Sequence, residues 1–296
     1  MADQLNVLRS ALESAGEAEP KGYKIQWSHF IGGPAIIAAE TGGSVDLGWM
    51  RETPIVFAQA AGSPIRVVMV MQPIRTGTST IGLIVPANSP IRTPPDLKGK
   101  KIAYMAGTVT QYYLMRLLEL GKLNLNDITS VSISPGALQS LLENGGIDAA
   151  VSAEPMISSV VDQGKIRLLH AEGEPLTPEF SFLVARASAL KDPKLEAAMA
   201  DFVLRVARAY KWQREHVDTA APIVAKLYKI PVRVVKTVIA RSPLHGVPIN
   251  AEVIAKQQAE TDAFLSAGLI KQHINVTSLF DTRFNARISA LKDVAP

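Results

Sequence analysis

The sequence predicts an α/β protein of two similar lobes facing each other across a cleft, and three observations predict it. First, the string Glu40-Thr41-Gly42-Gly43-Ser44-Val45-Asp46-Leu47-Gly48-Trp49 nearly recurs downstream as Glu143-Asn144-Gly145-Gly146-Ile147-Asp148-Ala149-Ala150-Val151. Each copy reads as a helix end, a glycine pair that accommodates the left-handed turn closing the helix, and a short apolar strand with an Asp at its mouth. Second, strand and helix signals alternate through the first two thirds of the chain, the pattern of α/β units. Third, 296 residues with 47% hydrophobic content suffice for two cored domains. The strands of the two copies run into Met50-Arg51-Glu52-Thr53-Pro54 and Ser152-Ala153-Glu154-Pro155. Those are strand carboxyl ends, where open α/β sheets bind ligands.

Composition removes several function classes. The chain contains no cysteine, so thiol nucleophiles, disulfides and cysteine-bound metals are excluded. Its five histidines, at 29, 170, 216, 245 and 273, form no pair at the helical spacing of metal ligands, and no metal or cofactor is expected. The net charge of +4 is spread along the chain. Its densest basic stretch, Lys98-Gly99-Lys100-Lys101, reads as a solvated turn, so nucleic acid is not an expected partner. No apolar run reaches the roughly 18 residues of a membrane span, and no charged-then-apolar leader opens the chain.

In order, the pattern predicts a helix over 5–18, a strand over 23–29, a helix over 34–40, a helix over 54–61 and an apolar strand over 66–71. Thr76-Gly77-Thr78-Ser79-Thr80 then interrupts with small and hydroxylated residues, and a strand follows over 81–85. The first crossing between lobes is placed there. Strands at 102–105, near 131 and at 166–169 alternate with helices over 110–120, 137–143 and 155–162. The apolar run 180–185 is the return crossing. Lobe 1 is therefore 1–80 plus 185–296, and lobe 2 is the insert 81–184. Amphipathic helices over 193–215, 217–228, 232–240 and 251–267 complete lobe 1 as core-packing elements.

The segments Tyr23-Lys24-Ile25-Gln26-Trp27-Ser28-His29-Phe30-Ile31-Gly32-Gly33-Pro34, Gly43-Ser44-Val45-Asp46-Leu47-Gly48-Trp49, Pro54-Ile55-Val56-Phe57-Ala58-Gln59-Ala60-Ala61-Gly62, Asp96-Leu97-Lys98-Gly99-Lys100-Lys101-Ile102-Ala103 and Phe180-Ser181-Phe182-Leu183-Val184-Ala185 resemble the aliphatic sulfonate, nitrate and taurine group of ABC-transporter substrate-binding proteins. The resemblance runs in order over nearly the whole chain. It implies a type II periplasmic-binding-protein fold, each lobe a mixed sheet flanked by helices, with a two-stranded hinge and the solute held between the lobes. It further implies a periplasmic protein, monomeric, that delivers a small anionic or zwitterionic solute to a membrane permease and performs no chemistry.

The loops offer candidates for such a site. Ala106-Gly107-Thr108-Val109-Thr110-Gln111 joins a strand to a helix, with Gly107 allowing close approach, Thr108 or Thr110 capping, and amides at the helix start suited to an anion. Gly32 and Gly33 make a second turn of this kind ahead of Pro34. Arg51 stands at the mouth of the first duplicated strand, beside Thr53. It either binds an oxyanion through two parallel hydrogen bonds or forms a salt bridge with Glu52. Glu154 stands at the mouth of the second strand. Relatives resembling this chain carry Gly-Asp-Ala-Pro and Trp-Asp-Pro type sequences at these two places, so solute identity does not transfer. A cation on one wall and an acid on the other suggest a solute bearing both charges. Gln4 faces the ligand or frays. His29 donates to an anion or is a partly buried structural residue, and Trp27 packs in the core. Ser79 and Thr80 reach the cleft or satisfy the backbone. Of Tyr112 and Tyr113, one is expected to line the cleft and the other to pack.

In the resembled group a first strand precedes the Asp-Gln turn, whereas only two residues precede Asp3. The expectation is that this strand and a leader lie upstream, or that residues 5–8 take its place. Two alternatives to transport remain. One is an enzyme on the same fold, similar to a sulfinate desulfinase or a thiamin-pyrimidine synthase, which the absence of cysteine disfavours. The other is a ligand sensor for a receptor, which closes in the same way.

Overall fold

A computed structural model describes residues 1–4, 6–74, 79–133, 137–169 and 176–291. Two mixed sheets carry the fold. In the first half of the chain, β1 (Ala2–Gln4), β2 (Ser28–Phe30), β3 (Leu47–Arg51) and β4 (Ile65–Pro73) belong to one six-stranded sheet. The next five strands, β5 (Ile81–Pro86), β6 (Lys101–Tyr104), β7 (Thr129–Ser132), β8 (Ala149–Ala153) and β9 (Ile166–Leu169), form the second sheet. The chain then returns to the first sheet as β10 (Ser181–Arg186) and β11 (Leu244–Val247). The strand orders are β11-β4-β10-β3-β1-β2 and β7-β6-β8-β5-β9.

The return strand corrects the predicted lobe boundary at 184/185. Ser181 pairs with Arg51 and Met71, and Phe182 with Met50 and Val70, so residues 181–184 belong to the six-stranded sheet and the chain crosses before them. Residues 75–78 of the expected first crossing lie outside the described residues, as does His170.

Both copies of the duplicated string occupy the same place in their sheets. The strand β3 lies between its parallel neighbour β1 and its antiparallel neighbour β10, and β8 lies likewise between β6 and β5. Each follows a helix: α2 (Gly33–Thr41) before β3 and α5 (Leu138–Glu143) before β8. The closing turns differ by one residue. Gly43, the second glycine of its pair, takes φ 78°, whereas Gly145, the first of its pair, takes φ 71°. The Ser44 amide reaches back to the Ala39 carbonyl at 3.0 Å and the Gly146 amide to that of Leu141 at 2.8 Å, closing both helices with the wide bond of a left-handed cap.

The middles of the central strands are apolar because helices cover both of their faces. Along β10, Leu183 and Ala185 join a cluster with α1 (Val7–Ser14) and α7 (Pro193–Glu215), and Phe182 and Val184 join the cluster on the opposite face with Ile36, Ile55 and Phe280. The second sheet divides likewise: Leu83 and Val151 pack on one face against α4 (Val109–Leu120), and Ile84 and Ala150 pack on the other against α5 and α6 (Met156–Val161). A further cluster bridges the halves. Val56, from α3 (Pro54–Ala60), and Phe264, from α10 (Ala251–Ser266), pack with Tyr112 and Met115 of α4, and the Tyr112 and Phe264 rings lie 5.8 Å apart.

Two expectations are corrected at the start of the chain. Residues 2–4 themselves fill the central strand position, pairing with β2 over their whole length and with β3 at Ala2; residues 7–14 are helical. The buried Asp3 carboxylate accepts the Leu8 and Arg9 amides at 3.3 and 2.8 Å, which seats α1 on the strand. The strand predicted over 23–29 forms only at Ser28–Phe30. Upstream, the Tyr23 hydroxyl donates to Asp201 at 2.9 Å and Trp27 packs on Phe202, so side chains hold this segment on α7 where no ladder exists. Trp27 packs against the core, as expected.

Gly48 in β3 is fixed by space. A Cβ there would come 2.4 Å from Ile36 Cγ2 and 3.0 Å from a Glu40 carboxylate oxygen. Gly48→Ala is expected to destabilise the protein by about 1–3 kcal/mol through overpacking, read as a lowered urea midpoint at unchanged slope.

Candidate functional site

A cleft of about 370 Å³ opens between the two sheets, and the mouths of both duplicated strands line it. Arg51 from β3 and Glu154 beyond β8 stand on its walls, with Gly32 and Gly33 at the start of α2, Thr108 and Thr110 at the start of α4, and Thr80 and Glu179 in the two crossings. The roof is apolar. Val224 from α8 (Val217–Tyr228) and Val235, Val238 and Ile239 from α9 (Val232–Arg241) close it on the side of the C-terminal helices.

Arg51 is the centre of the polar floor. Its Nε donates to Glu52 at 3.1 Å and its Nη1 to the Thr80 hydroxyl at 3.2 Å, and Nη2 lies 4.0 Å from Glu179. That Nη2 is buried and makes no hydrogen bond among the described residues. Burial works against the cation, but Glu52 and Glu179 outweigh it and raise the Arg51 pKa. The salt bridge expected as one alternative therefore forms, and it occupies one edge of the guanidinium while leaving a donor over.

The acid Glu179 escapes sequence reading. It is buried at the return crossing, in the left-handed region at φ 62°, and its carboxylate accepts the Ser79 hydroxyl at 2.6 Å, the Thr80 amide at 3.0 Å and the Thr80 hydroxyl. Both crossings are thereby held by one side chain. Its only sequence signal is a charge immediately ahead of the apolar run 180–185.

Ser79 is spent on Glu179 and on the Ile81 amide. Thr53 is fully buried behind the wall and donates to Glu260. Gln111 does not line the cleft, because its side-chain oxygen accepts the Gly107 amide at 2.7 Å. The hydroxyls of Thr108 and Thr110 both donate to the Met105 carbonyl, at 2.7 and 3.2 Å, so they brace the turn. The amides of Thr108 and Val109 find no acceptor among the described residues. Gly107 takes φ 69°, and a Cβ there would lie 3.5 Å from Pro34; one on Gly32 would lie 2.9 Å from the Met105 sulfur. The two glycine turns thus abut across the cleft. His29 is exposed on the edge strand and lines no part of the cleft; the side chain of Gln4 lies outside the described residues. Tyr112 and Tyr113 are both buried in apolar clusters and neither lines the cleft, because α4 turns them into its two packed faces.

Two further acids lie under the floor. Glu52 and Glu260 are fully buried. Burial pushes Glu52 above the ordinary carboxylate range, with Arg51 opposing it, and burial and then the charge of Glu52 push Glu260 well above that range. Gln257 donates to Glu260 at 3.3 Å, and its own Oε1 has no partner among the described residues. Exchanging that amide's oxygen and nitrogen supplies an acceptor for a protonated Glu260.

Two mixed sheets joined by two crossings, with a cleft between, constitute the type II periplasmic-binding-protein fold. The chain belongs to the NMT1/THI5-like family, which it matches over residues 34–220. It is 31% identical, over 86% of its length and 78% of the relative's, to an Escherichia coli (strain K12) protein named for binding aliphatic sulfonates. It also resembles the solved alkanesulfonate-binding protein SsuA from Xanthomonas axonopodis pv. citri bound to MOPS, at TM-score 0.81 and 28% identity, covering 95% of this chain and 96% of that one. The desulfurization enzyme DSZB shares the fold alone, at TM-score 0.65 and 16% identity over 98% of each chain.

A folded-state pKa raised above the unfolded value gives stability that is present at low pH and lost as pH rises. The urea midpoint is therefore expected to fall as pH rises from about 5 toward 8. In Glu260→Gln, which keeps an acceptor for Thr53, that fall is expected to shrink.

Proposed function

We propose that this protein is the extracytoplasmic solute-binding component of an ABC importer, that its solute is an organic anion of the sulfonate class, and that it hands the solute as a monomer to a membrane permease without chemical change. The observation that carries this reading is the cleft between the halves, with Arg51 in its floor, whose buried Nη2 stands 4.0 Å from Glu179 and makes no hydrogen bond among the described residues. A guanidinium N–H buried without a partner gains most from a charged oxygen acceptor. The free amides at the start of α4 supply the opposing donors. The sulfonate-named relative and the alkanesulfonate-binding SsuA support the solute class, and the similar periplasmic aliphatic sulphonate binding protein SsuA from Escherichia coli supports a periplasmic location. A volume of about 370 Å³ beneath an apolar roof suits a small organic molecule and far exceeds an inorganic anion such as nitrate.

The enzyme reading rests on likeness of fold alone, and the chain has no cysteine for the desulfinase-like chemistry weighed against it. Transport is favoured over sensing by the named relatives.

A thermal-shift and calorimetric panel of alkane- and arylsulfonates, taurine, nitrate and carboxylates tests the proposal. A sulfonate is expected to raise the melting temperature, by mass action on the native state, and nitrate is expected to leave it unchanged. Arg51→Lys keeps the charge but loses the fork, and is expected to weaken the sulfonate by about 10–100-fold, the worth of one charge-assisted hydrogen bond. A panel in which no sulfonate binds would overturn the reading.

A further inference from the structure

The two arginines at the ends of α9 both reach across the cleft to α6. Arg233, in its first turn, pairs through Nε and Nη2 with Asp162 at the end of α6. Arg241, its last residue, pairs with Glu154 just ahead of α6, Nη1 to Oε1 3.3 Å. The arginines stand about two helical turns apart, as do the two acids, and the first arginine meets the last acid. The helices thus run antiparallel and are stapled at both ends. Between the staples the inner face of α9 presents Val235, Val238 and Ile239 to the cleft, and Ser242 follows.

The anchoring of the two helices differs. α9 packs on α8 through Val235, Ala221 and Ala225, and α8 leads back to α7 over the six-stranded sheet. α6 packs under the five-stranded sheet through Ile157 and Val160. The staples therefore join one half of the protein to the other. The pairs also differ in kind. Arg233 is 70% exposed, and its pair is open to salt. The Glu154 side chain is 3% exposed and is held at 2.8 Å by the Ser158 hydroxyl and at 3.0 Å by the Ser158 amide, so it is preset to receive Arg241.

We propose that α9 is a strap that latches the cleft shut, its two ion pairs forming when the halves close and breaking when they open. The strap is also the roof, so latching and covering the solute are one event. This holds whatever the solute is, and its test uses none.

Because the sequence contains no cysteine, Thr237→Cys on α9 and Lys165→Cys in the other half place two spin labels without background. Electron–electron resonance on this pair is expected to give one short, narrow distance. Adding Arg233→Asp or Arg241→Met is expected to bring in a component longer by roughly a helix diameter, about 10 Å. Raising salt to about 1 M is expected to do the same to the Arg233 pair. Combining Arg233→Asp with Asp162→Arg is expected to restore the short distance. The strap is overturned if the single variants, unfolding as cooperatively as the parent, keep its distance, or if the exchanged pair fails to recover it.

Discussion

The buried carboxylate of Glu179 ties the two halves of the protein together. It lies at the second chain crossing and binds the first, through Ser79 and Thr80, and it stands 4.0 Å from the guanidinium of Arg51. The hinge and the cleft floor are therefore one polar unit. A buried acid with several donors is stable only while its partners stay in place. Any change of angle between the halves must carry Ser79, Thr80 and Glu179 together. The same unit limits what Arg51 can do. Removing its side chain would strand Glu52 and Glu179 without their cation, so Arg51 both supports the fold and presents the donor left over.

The two copies of the glycine-pair string end on opposite walls, one at a cation and the other at an acid. Their chemistry as a pair does not by itself describe a solute with both charges, because each is met within the protein. Arg51 is met by Glu52 and Glu179, and Glu154 by Arg241 and Ser158. The remaining capacity is unequal. One wall keeps an N–H with no hydrogen bond among the described residues, whereas the acid on the other is committed to α9. That inequality, with the apolar roof, argues for a solute with an anionic head and an apolar body.

Periodicity made most elements legible, because buried strands such as β4 and β10 carry unbroken apolar runs, Val67 to Met71 and Phe182 to Ala185, and helices such as α7 must show one apolar face. The exceptions have physical causes. Leu244-His245-Gly246-Val247 forms an edge strand although its sequence has weak β character, because the exposed flank of β4 supplies the ladder. Residues 23–27 alternate like a strand yet are held by Tyr23 and Trp27 on α7. Within the site, Arg51, the glycine turns and Glu154 were visible as strand and helix ends. Which hydroxyls serve the cleft was not, since Thr108, Thr110 and Ser79 turn on hydrogen bonds a few residues away. Glu179 and the roof of α9 were invisible for another reason: their contacts join residues far apart in sequence, and nothing local marks them.

A crystal structure of the protein with its tightest-binding sulfonate decides whether Arg51 holds the solute. The sulfonate head is expected within hydrogen-bonding distance, about 2.7–2.9 Å, of Arg51 Nη2, with the organic body under Val235, Val238 and Ile239. A sulfonate bound with Arg51 Nη2 still unpartnered, or outside the cleft between the sheets, would contradict this placement.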